Sequence, residues 1–217
     1  MARIFLTSAE SDAITARVAA FEHERGVEIV TLVVGKSDVY PEIVWKAFAL
    51  GAVLTALVVT VGDILRPDWT TAGAALSAVL ATLGIGALCA LASVYVPAFA
   101  RLFLRESRAT LEVGQYARVQ FLERQLFATP QRTAILMVVS LLERRVVVLA
   151  DTGLRSQVGA AEWDAVIARM TQRLAAGETG AAVLAGLDAT SELLAGKGIT
   201  RGSGNVFADQ PLEEPGP

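Results

Sequence analysis

No charged residue occurs between Ala47 and Gly62, and none between Trp69 and Ala100. A helix that crosses the roughly 30 Å hydrocarbon core of a bilayer needs about 20 mostly apolar residues, and only a helix or a closed barrel satisfies its own backbone there. Both stretches meet that requirement. The first does so as residues 43–65, with Lys46 snorkelling toward headgroups near one end, and the second as residues 71–97. Trp45 and Trp69 suit the two interfaces, and Pro67 in the intervening residues 66–70 breaks the helix into a short extracytoplasmic turn. The pattern predicts a transmembrane hairpin inside the chain.

A hairpin returns the chain to the side it left, so residues 1–42 and 98–200 share one compartment. Lys36, Lys46, Arg101, Arg105 and Arg108 lie on that side against Arg66 alone in the turn, which by the positive-inside rule makes both termini cytoplasmic. The opening MARIFLTSAESDAI has no apolar core of the kind a cleaved signal requires. With 53% apolar and 19% charged residues the chain suits a mixed membrane and soluble protein. A net charge of −3 without a basic run excludes a nucleic-acid footprint. One His and one Cys leave no set of zinc ligands and no disulfide, and no cofactor is expected.

The soluble segments read as one unit. Thr7 to Glu10 forms a capping box, followed by Ile14, Val18 and Phe21 at helical spacing up to Gly26. Val27 to Val34 is a β-branched run between glycines, which suits a strand buried on both faces. Leu111 to Ala128 reads as a helix burying Val119, Leu122 and Leu126, and RTAILMVVSLLERRVVVLADTGL as two strands, Ala134–Leu141 and Arg145–Ala150, joined by a charged corner. Helices at residues 162–176 and 179–194 follow, and residues 201–217 read as a flexible acidic Pro/Gly tail. The first strand cannot fold alone. Its expected neighbour is the parallel strand Ala134–Leu141, beyond the insertion, with Arg145–Ala150 antiparallel beside it. The expected fold is α/β: a small α/β/α sandwich with a mixed sheet of three to four strands, interrupted by the hairpin.

These segments together, over about residues 8–196, resemble the TPM domain, in particular its bacterial membrane form with two spans inserted after the first strand. The resemblance implies the bacterial inner membrane as location. The family's members differ in role: an acid phosphatase of the thylakoid lumen, a photosystem-repair factor and a receptor-modulating membrane protein, some binding calcium through acidic loops. Where phosphatase-like members carry a motif resembling Asp-Asn-Gly-Val-Leu, this chain has Arg132-Thr133-Ala134-Ile135-Leu136; their Gly-Tyr-Gly-Leu-Glu is here Asp151-Thr152-Gly153-Leu154-Arg155. One carboxylate remains, where a hard divalent ion takes about six or more oxygens. No metal is expected.

The candidate ligand or partner site is therefore Asp151, Thr152, Arg155 and Arg132, on loops at one end of the sheet. At the other end the corner Glu143–Arg145 is directed toward lipid headgroups, with Arg144, Arg145, Arg101 and Arg105 as contacts. Ala74, Ala78, Thr82, Gly86 and Ala90 form a small-residue stripe on the second span, and Ala52, Ala56 and Thr60 on the first, serving either the hairpin itself or a homo-oligomer. Membrane lipids and an unidentified membrane or cytosolic protein are the expected partners. The functional expectation is a non-enzymatic binding or assembly module. A membrane-tethered metal-dependent phosphohydrolase and a structural subunit of a membrane complex stand as alternatives.

Overall fold

The computed structural model describes residues 5–65, 72–129, 131–199 and 207–217. The expected turn at 66–70 and the first part of the tail, 201–206, lie outside them. The chain divides into a sheet unit, residues 1–38 with 107–217, and a helical unit, residues 39–106.

In the sheet unit, α1 (Ser8–Arg25) starts at the expected capping box: Thr7 Oγ1 accepts from the Glu10 N–H and the Glu10 carboxylate from the Thr7 N–H. It ends where Gly26 takes a left-handed φ of 60°. Strand β1 (Ile29–Val34) pairs in parallel with β2 (Ile135–Ser140), from Ile29 opposite Ile135 to Val34 opposite Ser140. Strand β3 (Arg145–Ala150) runs antiparallel to β2. The partner of the first strand is thus found more than ninety residues downstream, as the strand periodicity implies. The fourth strand is not in the tail's composition at all: β4 (Leu212–Glu214) pairs in parallel with the free side of β1, giving the order β3-β2-β1-β4.

Side-chain alternation distributes the sheet between two cores. Ile29, Val33, Ile135, Met137 and Val139 face one side, where they meet Phe21 of α1, Met170 of α7 (Ala160–Ala175) and Leu187 of α8 (Thr179–Gly196). Val30, Leu32, Val34, Leu136 and Val138 face the other, against Ala117 of α5 (Glu106–Glu123) and Leu126. This is a three-layer α/β/α arrangement, with both faces of the central strands dry. The expected face of α5 is corrected. Ala109, Val113 and Ala117 are buried with Gln120, whereas Val119 and Leu122 are exposed. Of the buried residues, Ala117 joins the core on the second face of the sheet. The helix also stops at Glu123, and Gln125 turns left-handed (φ 53°), so Leu126 comes from a separate 3₁₀ turn and does not continue the helical register.

The segment read as a flexible tail is tied down at 207–217 by polar contacts that composition conceals. Glu213 accepts from the N–H groups of Phe5 and Leu6, and Glu214 from Tyr116 and Arg124. At the start of β1, Glu28 accepts from the Phe207 N–H at 3.3 Å and Glu22 from the Ile29 N–H at 3.0 Å. Burial pushes the Glu22 carboxyl up to about 8; the Ile29 N–H opposes this, and the charges of Glu28 and Asp209 add to it. A raised carboxyl pKa means that the native state holds a proton the unfolded state has released. The resulting stability is complete below the unfolded value of about 4.3 and is lost as pH rises toward 8. Denaturation midpoints of the wild type are expected to fall between pH 5 and 8.5, and Glu22→Gln to flatten that slope.

The helical unit consists of α2 (Pro41–Leu65), α3 (Ala72–Tyr95) and a short α4 (Pro97–Ala100). Both long helices are long and apolar enough to cross a membrane, with mean hydropathy of 2.2. They pack on each other through small residues: a Cβ on Gly86 would stand 2.9 Å from the Phe48 ring, and one on Gly51 2.7 Å from Cys89 Sγ. On α3, Ala74, Ala78, Thr82 and Ala90 are partly covered and Gly86 is buried. On α2 the close approach is at Gly51, not along the expected stripe; Ala52 is partly covered, but Ala56 and Thr60 are exposed. The hydroxyls of Thr55, Thr60, Ser77, Thr82 and Ser93 donate to carbonyls three or four residues back in their own helices, as apolar surroundings require.

Candidate functional site

Because β2 and β3 are antiparallel, the residue entering β2 and the residue leaving β3 meet at one end of the sheet. Arg132 and Asp151 form a two-pronged ion pair there: Nε to Oδ2 at 2.8 Å and Nη2 to Oδ1 at 3.1 Å. Asp151 is the N-cap of α6 (Thr152–Arg155) and accepts the Thr152 N–H at 2.6 Å. Arg132 has a left-handed φ of 54°, and its guanidinium lies 5.8 Å from the Phe127 ring centre. Gly153 presses against this loop, its N–H donating to the Arg132 carbonyl at 2.8 Å. Burial raises the Asp151 carboxyl pKa, but the Arg132 hydrogen bonds and charge and the Thr152 N–H outweigh it, holding the group below the usual carboxylate range. Asp151 is ionised and spoken for at neutral pH.

The arrangement brings together three of the four expected residues on one groove. Asp151, Thr152 and Arg155 line an open groove of about 770 Å³, whereas Arg132 engages Asp151 from outside its lining. Sequence reading missed the rest of this groove. It runs along β3 at Leu149, between Arg118 and Phe121 of α5 and Trp163 and Ile167 of α7. Trp163 is only 9% exposed, and its indole N–H has no acceptor among the described residues. The signal was present in the sequence as an arginine beside an aromatic on α5, but no periodicity connects α5 to α7.

At the opposite end of the sheet one residue of the expected headgroup corner, Glu143, is corrected. Arg144 is exposed in the β2–β3 turn, but Glu143 is 8% exposed and accepts from the Ser37 N–H at 2.8 Å, the Ser37 hydroxyl at 2.6 Å and the Ser140 hydroxyl. A carboxylate holding three buried donors belongs to the core. Arg145 opens β3, Arg101 opens the 3₁₀ turn after α4, and Arg105 is exposed before α5.

Residues 90–193 match the family model of the TPM domain. Over those residues the chain carries a TPM domain. The match runs from the last turns of α3 into α8, so β1 and α1, which complete its sheet and one core, lie before it. The solved NMR structure of BA42 protein from the psychrophilic bacterium Bizionia argentinensis is similar over 97% of this chain and 97% of that one, with a TM-score of 0.59 at 12% identity. That likeness shows a shared fold alone. No curated protein matches the chain.

A divalent ion does not fit the Asp151 loop of this TPM domain. Both Asp151 oxygens already accept from a guanidinium, which occupies the position a cation would take. Among the described residues no three His, Cys, Asp or Glu side chains are grouped to hold a metal ion.

Proposed function

We propose that this TPM-domain protein is a non-enzymatic binding or assembly module anchored in the bacterial inner membrane by its two apolar helices, with both termini in the cytoplasm. One observation carries the reading: the Asp151 carboxylate is held by Arg132 and by its own helix cap. A general base or metal ligand needs a free lone pair at the reacting centre, whereas a side chain so fixed is a rigid support for a docking surface. The excess of Lys and Arg on the flanks of the helices supports the orientation. Lipid headgroups are the proposed partners of Arg101, Arg105, Arg144 and Arg145.

The test is turnover of a chromogenic phosphate ester by the full chain in detergent with Mg²⁺ or Ca²⁺. Wild type and Asp151→Ala are expected to give the same rate, indistinguishable from buffer. Turnover above buffer that Asp151→Ala abolishes would establish the phosphohydrolase instead.

A further inference from the structure

Strand β3 is the outer strand of the sheet. The Asp151 N–H donates to the Ala134 carbonyl at 2.9 Å, and these residues continue the register in which Leu149 faces Leu136 and Val147 faces Val138. Bonding alternates along an antiparallel pair, so Arg145, Val147 and Leu149 turn their backbone groups toward β2, while Val146, Val148 and Ala150 turn theirs outward. Natural sheets usually blunt such an edge with proline, lysine, a bulge or a covering segment. From Val146 to Ala150 this edge has none of those residues, and the β2–β3 ladder runs through without a bulge. The other edge of the sheet is β4, a strand of only three residues, Leu212–Glu214.

The groove described above lies along this open edge, with α5 on one side and α7 on the other. Its charge is asymmetric. Arg118 and Arg155 are exposed and form no ion pair among the described residues, Asp151 is neutralised by Arg132, and Asp164 is the one other acid in the lining.

We propose that the β3 edge takes up an extended peptide segment of a partner protein, added as a further strand, with an acidic side chain set between Arg118 and Arg155. Main-chain pairing to Val146, Val148 and Ala150 supplies the binding, and the two arginines select the charge. This inference rests on the binding-module reading and names the partner class for its groove.

The experiment uses the full chain in detergent and three five-residue probes: alternating Glu and Val, alternating Lys and Val, and the Glu/Val peptide N-methylated along one edge. The Glu/Val peptide is expected to bind saturably and to slow amide exchange at Val146, Val148 and Ala150 but not at Val147 and Leu149, which are already bonded. N-methylation is expected to abolish the protection, and Arg118→Glu with Arg155→Glu to weaken the Glu/Val peptide about tenfold or more while favouring Lys/Val. Val148→Pro removes an outward donor at a position where an edge strand accepts proline, and should weaken binding; the double arginine variant serves if it does not fold. Absence of edge protection, or equal protection by the N-methylated probe, overturns the proposal. So does a dimer in detergent that Val148→Pro converts to monomer, because a second copy then occupies the edge. Asp151-dependent phosphate-ester turnover strikes the binding-module reading, whereas its absence together with absent edge protection strikes the strand addition alone.

Discussion

Gly153→Ala is expected to destabilise the sheet unit by about 3 kcal/mol, the upper part of the range for forcing atoms into a filled site. A Cβ at this position would stand 2.6 Å from the Arg132 carbonyl oxygen and closer still to that of Gln131. Both obstacles are backbone, so no side-chain rotation relieves them. Moving the 131–132 turn would also disturb the Arg132 guanidinium and with it the clamp on Asp151. Gly114→Ala is the matched control, since nothing lies within 4 Å of its added Cβ and alanine suits the interior of α5 better. It should stabilise by about 0.5–1 kcal/mol. Urea denaturation of the two variants separates these signs, and a Gly153→Ala midpoint equal to wild type would show that the loop yields freely.

Glu143→Ala is expected to cost about 3 kcal/mol as well, for a different reason. The substitution strands the Ser37 N–H, the Ser37 hydroxyl and the Ser140 hydroxyl in a region where Ser140 is fully buried and Ser37 is 7% exposed. A buried donor left without an acceptor costs about 1–3 kcal/mol, and those freed from a charged partner lie at the high end. Glu143→Gln retains an acceptor oxygen and should lose less than half as much. Arg144→Ala, one residue along on the exposed turn, should stay within about 0.5 kcal/mol. If Glu143→Ala and Arg144→Ala denature alike, the buried hydrogen-bond cluster does not hold the β2–β3 turn to the end of β1.

Much of the architecture is written in local patterns. Val27–Val34 is a β-branched run and Ala134–Leu141 a mostly apolar one, both without alternation, which suits a strand covered on both faces. The capping box at Thr7 and the left-handed Gly26 are readable because a helix end must satisfy its own backbone within one turn. The two uncharged stretches are legible because a helix in lipid has no external partner to rely on. In each case the interactions that decide the structure lie within a few residues of one another.

Where the deciding partner is distant, local pattern misleads. Leu212–Glu214 has a tail's composition and becomes a strand because β1 offers it an unpaired edge and Arg124, Tyr116 and the Phe5 and Leu6 N–H groups offer its carboxylates partners. On α5 apolar spacing pointed to Val119 and Leu122, but Ala109, Val113 and Ala117 are the buried residues, with Ala117 in the core on one face of the sheet. Asp151 and Arg132 are identifiable as loop residues at one end of the sheet that could pair; that the guanidinium engages both carboxylate oxygens is fixed by the β2–β3 register. Sequence alone therefore determined the first three strands, the main helices and the two apolar helices, whose causes are local periodicity and backbone satisfaction. Tertiary structure decided which carboxylates are free, which edge is open and which helix face is buried, because each depends on a partner supplied by a remote part of the chain.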